Sequence, residues 1–224
     1  MREIVLDTET TGLEPELGHR LVEIACIELV NHLPTGVLKR WYLNPEREMS
    51  TDAFAVHGIG DDFLKNHPRF AEVADEFLAF IEGAPLIIHN AAFDLGFLNA
   101  ELRRAARSPL PAGIAIDTLE LARRKFPGAQ ASLDALCRRF AIDNSARTKH
   151  GALLDAELLA EVYLELIGGR QPGLELVARA TAENGFAIRI YRDPRPARPH
   201  LPTEAELAAH QALVARLRSP IWLS

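Results

Sequence analysis

Residues 4–12, IVLDTETTG, set three apolar residues, Ile4, Val5 and Leu6, directly before two acids, Asp7 and Glu9. A short apolar run closed by Thr and Gly reads as a buried strand. Residues i and i+2 leave the same face of a strand, about 6.5–7 Å apart along it. Asp7 and Glu9 therefore share a face at the strand's end. Two carboxylates so placed repel each other and resist desolvation. Taken alone, a D-x-E pair is more often a solvated strand end, so its meaning depends on what the rest of the chain brings to it.

Working outward, residues 21–30 are β-rich and alternate through Leu21, Ile24 and Cys26, and residues 37–43 (VLKRWYL) form a third strand. Turns are marked by Gly18, by residues 31–36 and by Asn44-Pro45. Three strands in series with short connections predict an antiparallel meander. The period then changes. Residues 71–81 place Val73, Phe77, Phe80 and Ile81 on one helical face. Leu86-Ile87-Ile88 is a strand, and residues 93–106 form a helix with Phe97, Leu98 and Leu102 inward. Residues 119–125, 133–140 and 153–167 are further helices, the last ended by Gly168-Gly169. A meander followed by strand–helix units predicts the α/β class, a sheet with helices on its faces.

The 224 residues carry 25 Lys+Arg against 31 Asp+Glu, a net charge of −6, with 48% hydrophobic and 25% charged residues. That composition is globular and excludes a wholly disordered chain. The acidic balance argues against holding nucleic acid by bulk charge, but not against nucleic acid as a transient substrate. Two cysteines, Cys26 and Cys137, cannot build a disulfide framework and suit a reducing cytosol. Neither a signal-peptide core nor an apolar run of membrane-spanning length is found, so a cytoplasmic protein without a membrane partner is expected.

Two further segments give the D-x-E pair its context. HNAAFD, residues 89–94, follows the strand 86–88 and opens a helix with Asp94 in its first turn, where the helix dipole favours a carboxylate. HGALLD, residues 150–155, sets His150 before a helix and Asp155 about one turn into it. Together the three segments offer four carboxylates and one histidine. All-oxygen ligands suit Mg²⁺ or Mn²⁺ rather than zinc, and there is no CxxC, HExxH, GxxxxGK[ST], GxSxG or dinucleotide fingerprint. Four carboxylates around two cations fit phosphodiester hydrolysis. His150 is then a candidate general base for water.

LDTETTG, HNAAFDLGFL and HGALLDAELLAEVYL resemble, in spacing and order, the three exonuclease motifs of the DEDD superfamily in its histidine-bearing (DEDDh) branch. Further stretches, FAVHGIGDDFL (54–64), FAEVADEF (70–77), SLDALCRRF (132–140) and IDNSARTKHGALLDA, are similar to the proofreading subunits of bacterial DNA polymerase III. The resemblance implies a ribonuclease-H-like fold, a mixed sheet flanked by helices, over residues 1–169. It implies that Asp7, Glu9, Asp94 and Asp155 hold two divalent ions, Mg²⁺ or Mn²⁺, with Asp94 acting partly through water. His150 would activate the attacking water, and a nucleoside 5′-monophosphate would leave a DNA 3′ end. Contacts to the terminal nucleotide are implied for Leu13, His57 and Phe93, beside Asp7, Glu9 and Asp155. Residues such as Leu13 and Phe93 are more often core, and one such as His57 is more often a satisfied loop histidine.

The last 55 residues hold 6 of the 14 prolines and 8 Arg against 5 acids, a charge of about +3. They read as a linker, residues 170–200, and a helical tail, residues 201–224. Within the linker, Gln171-Pro-Gly-Leu174-Glu-Leu176 resembles a sliding-clamp-binding peptide with a glutamine and two apolar anchors. Thr203-Glu204-Ala205-Glu206 has capping-box spacing. The segment it opens, down to Ile221-Trp222, resembles a polymerase-docking tail that binds the alpha subunit. The resemblance further allows a small third subunit of theta type on the nuclease domain. Two other readings stay open: a free-standing RNA-trimming exonuclease of the same branch, and a scaffold that keeps a nuclease fold only to bridge clamp and polymerase.

Overall fold

The computed structural model describes residues 1–145, 147, 149–169 and 201–217. The chain divides into two units, Met1–Leu174 and Glu175–Ser224. The first is built on a five-stranded sheet of β1 (Arg2–Thr10), β2 (Leu21–Val30), β3 (Leu33–Tyr42), β4 (Leu86–Ile88) and β5 (Ala115–Asp117). Its spatial order is β3-β2-β1-β4-β5. β1–β2 and β2–β3 pair antiparallel, which is the expected meander, whereas β1–β4 and β4–β5 are parallel.

Helices cover both faces. On one lie α3 (Phe70–Ile81) and α4 (Ala91–Arg104), which bury Phe70, Phe77, Phe97 and Leu98 against Ile4, Leu6, Ile24 and Cys26 of the sheet. On the other lie α5 (Thr118–Lys125), α6 (Leu133–Phe140) and α7 (Ala152–Leu166), which pack Ala122, Leu136, Cys137, Leu159 and Val162 on Val5, Ala25 and Ile27. Ile4 and Leu6 thus serve one core and Val5 the other, as strand alternation requires. Cys26 and Cys137 are both buried free thiols. Phe77 is fully buried and meets Trp41 edge-on at 6.0 Å. Phe77→Ala is expected to cost about 3–5 kcal/mol through lost contacts and a residual cavity. A urea midpoint unchanged from the parent would contradict that packing.

Three local readings are corrected. The link between β2 and β3 is not residues 31–36 but the two-residue turn Asn31-His32, both at positive φ (52° and 67°), the type I′ geometry that twists with its strands. Pro34 and Gly36 punctuate the chain yet lie inside β3, where the register shifts between Ile27 and Leu29 and Gly36 takes φ 86°. Leu21 and Ile24 are three apart yet share a core, because the β1–β2 register slips between Glu9 and Thr10. The short elements α1 (Thr51–His57), α2 (Asp61–Leu64) and β5 were not expected; runs of 3–7 residues are too brief to show a period.

In the second unit, α8 (Glu204–Val214) starts as its spacing predicts: Thr203 Oγ1 accepts from the Glu206 N–H at 3.3 Å, and the Glu206 carboxylate accepts from the Thr203 N–H at 2.7 Å. Gln171, Leu174, Leu176 and Ile221-Trp222 lie outside the described residues. Among the described residues no helix is long and apolar enough to cross a membrane.

Candidate active site

β1 runs through the middle of the sheet, and its C-terminal half carries Asp7, Thr8 and Glu9. β4 lies parallel beside it, so the helix that follows β4 begins at the same edge. This is where parallel strands place their sites. Asp94 sits buried in the first turn of α4 and accepts a 2.6 Å hydrogen bond from Thr8 Oγ1. The start of α4 is fixed from outside. Asn90 is left-handed at φ 70°, and the N–H groups of Asn90 and Ala91 donate to the Asp117 carboxylate at 3.2 and 3.0 Å. Asp117 also accepts from the Leu119 N–H at 2.8 Å, so one carboxylate caps α4 and α5 together.

Asp155 is buried in the first turn of α7, whose N-cap, Gly151, has no side chain to offer. Glu23 supplies the cap from β2: its Oε2 accepts from the Ala152 N–H at 3.3 Å, while Arg40 Nε donates to Oε1 at 2.6 Å. Glu23 stands opposite Glu9 in the β1–β2 register. The segment before α7 is tied to α1 by the His150 N–H, which donates to the Val56 carbonyl at 3.2 Å.

Asp7, Glu9, Asp94, His150 and Asp155 thus line one cleft of about 340 Å³, with Phe93, His89, Asp134 and Arg147. Among the described residues, Glu9, His150 and Asp155 offer ligand atoms that all lie within 4.8 Å of one another. The electrostatics are those of a site short of positive charge. Asp7 keeps an opening to the cleft, yet burial is the main cause that pushes its carboxyl well above the usual range, followed by the charges of Asp94, Asp155 and Glu9. Burial, then Asp155 and Glu23, push Glu9 up to about 8. Burial raises Asp94 to about 7 against the opposing hydrogen bond from Thr8. Asp155 goes the other way. Burial works to raise it, but hydrogen bonds from His150 and Arg147 and the Arg147 charge outweigh that and hold it below its ordinary value. A hard divalent cation is the complement such a donor set calls for, so the residues fit the metal site read from the sequence.

Phe93 lines the cleft. Leu13 projects, 78% exposed, at a neighbouring hollow formed with Gly12, His19, Ala53 and Val56, so it is not a core residue. His57 ends α1 and is buried, with both ring nitrogens engaged: Nδ1 accepts from the Ile59 N–H at 3.0 Å and Nε2 faces the Thr10 carbonyl at 3.3 Å. Sequence reading missed Thr8, Glu23, Asp117, Asp134 and Arg147. Arg147 alone had a signal within reach, a basic residue three before His150 in ARTKHGALLD.

The sequence profile of the exonuclease family (RNase T type) matches residues 4–163. The chain is 49% identical to DNA polymerase III subunit epsilon of Rickettsia felis over 222 residues, 97% of each chain. It is 47% identical to the Escherichia coli K12 subunit of that name over 94% of this chain and 91% of that one. Among solved structures, the nuclease domain of 3′hExo, a DEDDh family member bound to rAMP, matches 74% of this chain and 91% of that one, with TM-score 0.65 and 20% identity. Exonuclease X in complex with 5′-overhanging duplex DNA matches 74% of this chain and 90% of that one, with TM-score 0.57 and 24% identity. These two likenesses bear on the fold, which is that of ribonuclease-H-like exonucleases.

Proposed function

The chain belongs to the exonuclease family, among the DNA polymerase III epsilon subunits, and is a 3′→5′ exonuclease; on that premise we propose that it is the proofreading subunit of a replicative polymerase, removing mispaired 3′-terminal nucleotides from DNA as 5′-monophosphates. The observation that carries this reading is the convergence of Asp7, Glu9, Asp94, Asp155 and His150 on one cleft.

Asp7, Glu9, Asp94 and Asp155 would hold two divalent ions, Mg²⁺ or Mn²⁺, which when bound supply an activated water and charge stabilisation at the attacking and leaving oxygens. His150 Nδ1 lies 3.1 Å from Asp155 Oδ2. Arg147 Nη2, a donor only, stands 2.8 Å from the same Nδ1; once that contact gives way, a ring that donates from Nδ1 to Asp155 would keep Nε2 free to take the water proton as general base. Water oxygen bonds to phosphorus, the bond to the 3′ oxygen breaks, and that oxygen takes a proton from solvent to leave a new 3′ hydroxyl. Phe93 lines the cleft and Leu13 a neighbouring hollow, and they would meet the terminal base by stacking and by wedging. His57 acts in support, since its backbone partner Thr10 follows Glu9 directly.

Selectivity for errors needs no contact to the mismatch. A mispaired end is less costly to unstack into the cleft than a paired one. An acidic chain holds DNA weakly by itself, so its tail carries the targeting: residues 171–176 to the sliding clamp through Gln171, Leu174 and Leu176, and residues 201–224 to the polymerase alpha subunit, which raise the effective concentration. A small theta-like subunit on the nuclease unit belongs to the same proposal.

The test is nucleotide release by the full chain, with Mg²⁺, from a mispaired DNA primer, a paired primer and single-stranded RNA of the same sequence. Fastest release from the mispaired primer is expected. RNA cleaved better than either DNA would favour the RNA-trimming reading instead. Replacing Gln171, Leu174 and Leu176 by Ala should weaken clamp binding about tenfold or more while cleavage of free single strands is unchanged; unaltered clamp affinity would discard the peptide.

A further inference from the structure

Among the described residues lining the cleft, Arg147 is the one permanent cation, and it grips a catalytic carboxylate. Its Nε and Nη2 both donate to Asp155, Nη2 at 2.7 Å, so the planar guanidinium engages both oxygens at once. The same Nη2 stands 2.8 Å from His150 Nδ1. Nη1 donates at 2.7 Å to Asp134 Oδ1, on α6, which is itself steadied by Asn144 Nδ2 at 3.0 Å. The Arg147 side chain is 8% exposed and that of Asp155 4%. A charge this buried is retained only where it is paired.

A guanidinium fork and a divalent ion compete for the same Asp155 lone pairs. We propose that Arg147 is a positioning residue that serves as an internal counter-cation: it occupies Asp155 and orders His150 when no metal is bound, and it yields Asp155 to the incoming ion while Asp134 keeps it in place. The inference rests on the divalent-metal reading of the site. Its consequence is that Arg147 sets the ion concentration at which the site fills, weakening metal binding in return for an ordered ion-free cleft.

The experiment is Mn²⁺ titration by isothermal calorimetry of the full chain without DNA, paired with thermal unfolding in EDTA and in Mn²⁺. The parent, Arg147→Gln and Arg147→Lys are compared. Arg147→Gln is expected to bind Mn²⁺ about tenfold more tightly, because a competing charge is gone, while melting at lower temperature in EDTA and recovering in Mn²⁺. Arg147→Lys keeps the charge without the fork and should tighten binding only a few-fold, which keeps the comparison readable if the Gln variant folds poorly. A merely structural arginine would weaken Mn²⁺ binding and lower both melting temperatures alike, and that result overturns the proposal, as does an unchanged affinity. If neither the parent nor any variant takes up Mn²⁺, the metal reading itself falls, and this inference with it.

Discussion

Asp7→Asn is expected to lower nucleotide release by about 10³-fold or more and, at the same time, to raise the melting temperature of the metal-free protein. The two effects share one cause. Asp7 lies where burial and the charges of Asp94, Asp155 and Glu9 all oppose its ionisation. Its carboxylate is costly to the fold and makes sense only as a partner for positive charge. Asn keeps the volume, so no cavity opens, but it removes the charge that would hold an ion. Ion-mediated stabilisation of the reacting oxygens is worth several kcal/mol, and each 1.36 kcal/mol is a factor of ten in rate. Relief of repulsion acts in the opposite direction on stability, at about 2–4 °C per kcal/mol for a chain of this size. Release measured under Mg²⁺ and melting measured in EDTA decide the matter together. Activity within tenfold of the parent would remove Asp7 from the metal site. Lost activity with a lowered melting temperature would mean that Asn had damaged the fold rather than the chemistry.

The cost of burying a carboxylate at Asp7 also explains what could be read in the sequence. The carboxylates of the proposed site stand out because they break local rules: Asp7 and Glu9 interrupt a strand that is otherwise buried, and Asp155 falls on the buried side of α7 among Ala152, Ala156 and Leu159. α3 and α6 show their apolar periods plainly, while α4 and α7 were legible by their length and by the glycines and turns that bound them. What stayed hidden acts through partners distant in sequence. Glu23 looks like a polar residue on a strand, yet it caps α7 across 129 positions. Asp117 caps α5, and nothing local says that it also holds α4, 26 positions earlier. Thr8 points away from Asp7 and Glu9 along the strand, and its bond to Asp94, 86 positions on, follows only from the parallel pairing of β1 with β4. Chemistry was legible because it is expensive locally; support was not, because its gain is realised only in three dimensions.

That same expense should appear as a pH dependence whose sign depends on metal. With ions chelated, the protein is expected to lose stability as pH rises from about 6.5 to about 8. Glu9 is raised to about 8 and Asp94 to about 7, both chiefly by burial, and Asp7 is raised as well. Each holds a proton in the fold at pH values where the unfolded chain has released it. The native state therefore binds more protons than the unfolded state, and stability falls with pH. His57 and His89 act oppositely, since burial lowers both. Their contribution is lost as pH falls below the ordinary histidine value of about 6.5, so above it the carboxylates act alone. Asp155, held below its ordinary value, matters only at more acidic pH. Divalent ions held by the proposed site would bind its ionised carboxylates and displace those protons, so saturating Mg²⁺ should flatten or invert the slope. Urea midpoints at pH 6.5, 7.2 and 8, spaced at about the titration range above, should fall in EDTA and hold or rise in Mg²⁺. Equal slopes in both conditions would mean that the raised carboxylates are not where the ions bind.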